Sequence, residues 1–229
     1  MFAGVLFDFD GTMVDTTELI VKSFQHVLRS HLNRTIETEE LFPYFGMTLR
    51  EGLASFVPDK VDEMIAEYRR FSDEHFDDLV YLCPGVKEGL RQLRAAGVKL
   101  GVVTSRARQT TLYGLQLFDL QDYFQAVVTM DDVSSYKPQP DPVLKGVELL
   151  RLDPAEVVMI GDSPHDIMAA RAAGVTSVAA GWSKIPRERL LAAQPDAIVD
   201  SMAEFVDFCI SQETASKKPA ARGNITQEK

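Results

Sequence analysis

An apolar run that stops on two carboxylates opens the chain: Ala3-Gly4-Val5-Leu6-Phe7-Asp8-Phe9-Asp10-Gly11-Thr12. Side chains alternate along a strand, so Asp8 and Asp10 share a face. Two anions held side by side repel each other and lose hydration, a cost that a divalent cation or a retained proton offsets. Gly11 permits the sharp turn that must follow. A strand ending in a polar turn would account for one aspartate. Asp-x-Asp-Gly-Thr after a continuous apolar strand points instead to a functional site.

Other strand ends carry matching chemistry. Val98 to Val103 reads as a strand ending on Thr104 and Ser105, and Val157 to Gly161 as one ending on Asp162. Lys137 lies in the loop Ser135-Tyr136-Lys137-Pro138, after the short strand Ala126 to Thr129. Ligands of open α/β sheets bind at the carboxyl ends of strands, so these residues should converge. A carboxylate there can attack phosphorus and form a mixed anhydride. Mg²⁺ takes hard oxygen ligands and only one or two carboxylates, which Asp8 and Asp162 can supply. A lysine stabilises nucleophile and phosphoryl group, a threonine hydroxyl binds further oxygens, and a protonated second aspartate can serve the leaving group and then water.

The elements that position these residues alternate. Leu19, Ile20, Phe24, Val27 and Leu28 form one helical stripe, preceded by Asp15 and Glu18 at capping-box spacing. Short helices broken near Pro43 and Gly46 are expected over 38–56, then a helix with Val61, Met64, Ile65, Tyr68 and Phe71 on one side. From Cys83 onward strands and helices alternate, with Pro84-Gly85 opening one helix, Asp141-Pro142 another and Ser163-Pro164 a third; strands are expected at Val175 to Ala179 and Ala197 to Val199. The expected fold is α/β: a doubly wound, mostly parallel, Rossmann-like sheet with an all-helical insertion after the first strand. The expected division is a core of residues 1–15 and 82–212, an insertion over 16–81, and a polar tail over 213–229 without periodicity, read as disordered.

A formal net charge of −10 disfavours nucleic acid and anionic membranes as partners, and an anionic substrate then needs a local cationic site. No apolar run is long enough to span a bilayer, no signal peptide is expected, and Cys83 and Cys209 make no disulfide framework. A cytoplasmic protein is expected, its partner a small-molecule phosphate.

Asp8-Phe9-Asp10-Gly11-Thr12, Thr104, Lys137-Pro138 and Gly161-Asp162-Ser163-Pro164-His165-Asp166 resemble, in order, the four motifs of the haloacid dehalogenase-like phosphohydrolases. The resemblance implies Asp8 as nucleophile and Asp10 as general acid/base. It implies Mg²⁺ held by Asp8, the backbone carbonyl of Asp10 and Asp162, with phosphate bound by Thr104 and Lys137. It makes the helical insertion a cap over the site. Family dehalogenases work without metal and lack the Asp-x-Asp pair, so Asp10 argues for phosphate chemistry. Within the family, Thr17 to Ile20, Glu63 to Phe71, His75 to Val80 and Thr129 to Val133 resemble the PpaX-type inorganic pyrophosphatases. That likeness implies hydrolysis of pyrophosphate, notably that released when phosphorylated HPr is dephosphorylated by phosphorolysis. Phosphoglycolate phosphatases and other small phosphomonoester phosphatases are the alternative, and a phosphosugar mutase would use the same motifs. A catalytically silent module would be free to lose Asp8, Asp10, Lys137 or Asp162, and this chain keeps all four.

Several residues have plainer readings. Asp15 and Ser163 suit helix caps, and Asp166 suits the positive end of a helix, with a metal or Lys137 contact also open. Ser105 either binds phosphate, the favoured reading, or caps the next helix. His26, His31 and His75 read as helix-surface or cap-packing residues and His165 as solvent-facing or near the site entrance; none has metal-ligand spacing. Pyrophosphate brings a second phosphoryl group, for which Thr48 or Arg50 in the cap loop is the candidate contact; otherwise Arg50 covers helix surface with its stem.

Overall fold

The computed structural model describes residues 1–211; the expected disordered tail lies outside them. The chain runs β1 (Gly4–Phe7), β2 (Val14–Asp15), α1 (Thr17–Leu32), α2 (Thr38–Leu41), α3 (Leu49–Ala54), α4 (Val61–Leu79), β3 (Tyr81–Leu82), α5 (Val86–Ala95), β4 (Lys99–Val103), α6 (Arg108–Leu117), β5 (Ala126–Val128), α7 (Asp141–Leu150), β6 (Val157–Gly161), α8 (Pro164–Ala172), β7 (Thr176–Ala180), α9 (Arg187–Ala192), β8 (Ala197–Val199) and α10 (Met202–Ser211). Six strands form one parallel sheet in the order β5-β4-β1-β6-β7-β8.

The apolar strands are continuous because both faces of the sheet are covered. Val5 and Phe7 of β1 and Val158 and Ile160 of β6 face a core completed by Val86, Leu90 and Leu93 of α5 and Met202, Phe205 and Val206 of α10. Leu6, Val157 and Met159 face the other core, with Val143 and Val147 of α7 and Ala169 and Ala170 of α8. Phe7 is fully buried and meets the Phe124 and Phe205 rings edge-on at 6.3 and 5.7 Å. Removing such a side chain from water stabilises by roughly 1.5–3 kcal/mol.

Between β2 and β3 the chain holds only helices and their connections, and α1 packs along α4. Their stripes meet where the sequence places them: Phe24, Val27, Leu28, Met64 and Ile65 are buried, while Ile20, Tyr68 and Phe71 are partly so. The same apolar cluster takes in Ile167, Ala179, Ile185 and Leu190 of the α/β part. Among the described residues no helix is long and apolar enough to cross a membrane.

Three local expectations change. Asp15 and Glu18 form no capping box: Thr16 is the residue before α1, Asp15 Oδ1 accepts from the Thr17 N–H at 3.0 Å, and Glu18 pairs with Lys22 at 2.6 Å. The cause is that Asp15 already belongs to a two-stranded antiparallel ribbon with Tyr81, so the helix starts later. Pro140, not Asp141, precedes α7, and Asp141 is its first residue. The ribbon β2–β3 and helices α9 and α10 were not anticipated.

Candidate active site

Sheet order reverses between β1 and β6, the position where open α/β sheets leave a crevice at the strand ends. Asp8 follows β1 and is tied to its neighbour by its N–H donating to the Ile160 carbonyl at 2.9 Å. Asp162 follows β6, and Asp166 sits in the first turn of α8. Gly161 lets the Asp166 side chain lie against the strand end, since a Cβ there would fall 2.2 Å from Asp166 Cβ. Gly11, at φ +71°, turns the backbone so closely past Asp162 that a Cβ would stand 2.1 Å from its Oδ2.

Lys137 spends all its donors here: Nζ donates to Asp8 Oδ1 at 2.8 Å, Asp166 Oδ1 at 2.5 Å and the Val103 carbonyl at 3.2 Å. One carboxylate oxygen each from Asp8, Asp162 and Asp166 lies within 4.8 Å of the others, and all three residues are buried. Three carboxylates against one ammonium leave an excess of negative charge that water does not screen. Burial, then Asp166, push the Asp8 carboxyl up to about 7 against the pull of Lys137. Burial, then Asp166 and Asp8, hold the Asp162 carboxyl well above the usual carboxylate range. For Lys137, burial works against the charge, but the two carboxylates outweigh it and raise its pKa.

The donor set suits a hard divalent cation. Both oxygens of Asp166 are engaged, Oδ1 by Lys137 and Oδ2 by the Ser163 N–H and hydroxyl at 3.1 and 2.6 Å. Among the described residues Asp162 has one side-chain donor, the Ser183 hydroxyl, which reaches its carbonyl at 3.0 Å and its Oδ2 at 3.1 Å. Asp8 and Asp162 therefore retain acceptor capacity facing each other, as an oxygen-coordinated cation requires. Ser183 orients this carboxylate. Ser183→Ala is expected to weaken Mg²⁺ binding by about tenfold, as loss of such outer partners does, which calorimetric titration would measure; unchanged affinity would remove the orienting role.

Asp10 Oδ1 accepts from the Thr16 hydroxyl at 2.7 Å and from Arg106 Nη1 at 2.8 Å. The Arg106 guanidinium also lies 5.0 Å from the Phe76 ring centroid and 5.8 Å from that of Phe9. A cavity of about 380 Å³ opens between these strand ends and the helical insertion. Asp8, Asp10, Thr104, Ser105, Lys137 and Asp162 all line it, so the residues expected to converge do so. Thr104 is buried and its hydroxyl accepts from the Arg106 N–H at 3.2 Å. The Ser105 hydroxyl donates to the Gly46 carbonyl at 3.0 Å, joining the sheet edge to the insertion.

The two specificity candidates part company. Thr48 lines the cavity, but its hydroxyl donates to Glu51 Oε2 at 2.6 Å and accepts from the Glu51 N–H, capping α3. Arg50 is not among the lining residues; its Nη2 donates to Asp62 at 2.5 Å on exposed surface. Arg50→Ala is accordingly expected to change kcat/KM by less than about threefold on pyrophosphate and on p-nitrophenyl phosphate, since exposed ion pairs contribute little; a selective loss on pyrophosphate would restore it as a substrate contact.

Sequence reasoning passed over Arg106 and Ser183. Ser183 follows β7, so the strand-end rule that found Asp162 could have found it. His165 is half-buried beside the Gly46 turn, where a Cβ would stand 3.2 Å from its Nδ1, while His26 and His31 both pair with Glu67 within the insertion.

A family model described as haloacid dehalogenase-like hydrolase matches residues 5–180. The chain belongs to this family. Among its relatives, a protein of Caldanaerobacter subterraneus subsp. tengcongensis provisionally named pyrophosphatase PpaX is 44% identical over 88% of this chain and 92% of its own length. A Bacillus cereus protein named pyrophosphatase PpaX is 41% identical over 88% and 94%. The solved structure of a Bacteroides fragilis protein, provisionally described as a haloacid dehalogenase-like hydrolase, superposes with a TM-score of 0.84 at 27% identity, covering 90% of this chain and all of that one. Haloacid dehalogenase-like architecture thus extends over both the sheet and the helical insertion.

Proposed function

We infer that this haloacid dehalogenase-like hydrolase cleaves inorganic pyrophosphate to phosphate, with Mg²⁺, through a phosphoryl group carried on Asp8. The observation that carries the reading is the buried Asp8–Lys137 pair facing a cavity of about 380 Å³, where Arg69, Arg106 and Lys137 stand among carboxylates that a divalent cation would neutralise, a space sized for a small polyanion. The names borne by relatives at 41–44% identity support the same substrate.

Lys137 and the strand end fix one Asp8 oxygen and leave the carboxylate to attack phosphorus. As the Asp8 O–P bond forms, the bond from phosphorus to the leaving phosphate breaks, and the leaving oxygen takes a proton from Asp10. Water then attacks the phosphoryl group, gives its proton to Asp10, and breaks the Asp8 O–P bond, which restores Asp8 as a carboxylate and Asp10 in its protonated form. Thr104 supplies a hydroxyl beside the phosphoryl oxygens. Asp8, Asp162 and the Asp10 carbonyl would hold Mg²⁺, which when bound neutralises charge between the nucleophile and the phosphoryl oxygens. Residues 16–81 act as the substrate-selecting cap on a core of 1–15 and 82–212. Two free buried cysteines, Cys83 and Cys209, fit a reducing cytoplasmic setting.

The test is a substrate panel at fixed Mg²⁺, comparing kcat/KM for pyrophosphate, phosphoglycolate, a sugar phosphate and p-nitrophenyl phosphate. Pyrophosphate is expected to lead and EDTA to stop turnover. A monoester that matches or exceeds pyrophosphate would overturn the substrate assignment, and turnover that survives EDTA would overturn the metal.

A further inference from the structure

We propose that Arg106 forms the subsite for the negative charge of the leaving group, so that the enzyme selects phosphates whose leaving group is itself an anion. The proposal deepens the pyrophosphate reading and rests on its assignment of Asp10 as proton donor.

Position comes first. Asp10 must reach the leaving oxygen, and Arg106 Nη1 stands 2.8 Å from Asp10 Oδ1. A group that touches the proton donor and lines the same cavity lies beside whatever departs. Lys137 lies on the opposite side of the reaction, bound to the nucleophile Asp8 and to Asp166. The two cations thus divide the substrate between them, one for the phosphoryl group that is transferred and one for the group that leaves.

Unused capacity comes second. Among the described residues, Nη1 is the only guanidinium nitrogen of Arg106 with a hydrogen-bond partner, and Nε is buried with none. An unpaired buried donor is costly, and a planar fork with free N–H groups is shaped for the oxygens of a phosphate or carboxylate. The guanidinium is also held in place before any substrate arrives. It packs near the Phe76 and Phe9 rings, and its own backbone N–H is anchored on the Thr104 hydroxyl. Little side-chain freedom is left to lose on binding. A neutral alcohol or phenol offers this fork no charge, whereas pyrophosphate offers a second phosphoryl group directly across the scissile bond.

The experiment is a ratio of ratios. For the parent and Arg106→Gln, kcat/KM is measured on pyrophosphate and on p-nitrophenyl phosphate, whose leaving group lacks a second anion. Both substrates are expected to suffer, because Arg106 also touches Asp10, but the pyrophosphate-to-nitrophenyl ratio is expected to fall by roughly 10- to 100-fold, the loss typical of a hydrogen bond to a charged group. Arg106→Lys should recover part of the ratio. In an Asp8→Asn background, adding Arg106→Gln should weaken pyrophosphate binding by calorimetry and leave orthophosphate binding in place. Equal losses on the two substrates, with unchanged pyrophosphate binding, would reduce Arg106 to a support for Asp10 and overturn the subsite. A ratio that moves with Arg69→Ala instead would place the anion contact on the cap and likewise overturn it. If the parent prefers phosphoglycolate and its ratio to p-nitrophenyl phosphate still falls in Arg106→Gln, pyrophosphate fails as the substrate and the anion subsite stands.

Discussion

Asp8→Asn is expected to reduce phosphate release by about 10⁴-fold or more, the scale seen when a covalent nucleophile is removed, while the protein stays folded. Asn preserves the shape of the side chain, but its neutral amide oxygen is a far weaker nucleophile toward phosphorus than a carboxylate. Substantial residual turnover would refute covalent catalysis through Asp8. The same substitution has a thermodynamic signature in metal-free protein. Asp8 titrates near 7 when folded, because burial and Asp166 raise it, against an unfolded value of about 3.9. Between those limits the folded state binds more protons than the unfolded chain, so stability falls as pH rises from about 4 to about 7. The raised Asp162 carboxyl acts in the same sense. Urea midpoints should therefore drop across that window, and Asp8→Asn should flatten the decline. An unchanged slope would mean that Asp8 ionises freely in the folded state.

Lys137→Met is expected to be the most damaging single change to the folded state. Lys137 is 2% exposed and joins two buried carboxylates. Removing one partner of a buried ion pair costs about 3–5 kcal/mol, a large share of the roughly 5–15 kcal/mol that holds a domain together. Urea unfolding without metal should show the loss, and Mg²⁺ should restore part of it, because added positive charge serves the same carboxylates. Activity should not return, since Asp8 loses the group that orients it. If the variant proves as stable as its parent, the cluster is already neutralised by protons rather than by Lys137.

The strand ends of the candidate site were legible because their signal is local. A fully apolar strand that stops on Asp8, or on Asp162, declares both its burial and its exit at the sheet edge. Lys137 was legible through its spacing in a recognisable series. Arg106 was not, because three residues past a strand an arginine looks like any solvent-facing loop cation. Its meaning depends on Asp10, far away in the chain, and on a ring from the insertion. The β2–β3 ribbon escaped for a different reason, since two residues in each strand cannot display a period. Arg50 shows where orientation fails. Its position in the cap loop could be read, but the Thr48–Glu51 capping box sets how α3 begins, and Arg50 pairs with Asp62 on the exposed surface.

The pairing of β1 with β6 bears on how the enzyme is made. Gly4 lies beside Val157 and Phe7 beside Ile160, so the strand made first is flanked by one made after two thirds of the chain. During synthesis β1 can pair with β4 along one edge, but its other edge and the Asp8 carboxylate stay open until β6 and Asp166 have emerged. Such distant pairing closes slowly, and an exposed strand is what invites aggregation in the interval. A fragment ending before β6 would hold Asp8, Asp10 and Lys137 yet lack Asp162, Asp166 and the neighbouring strand that complete the acidic cluster.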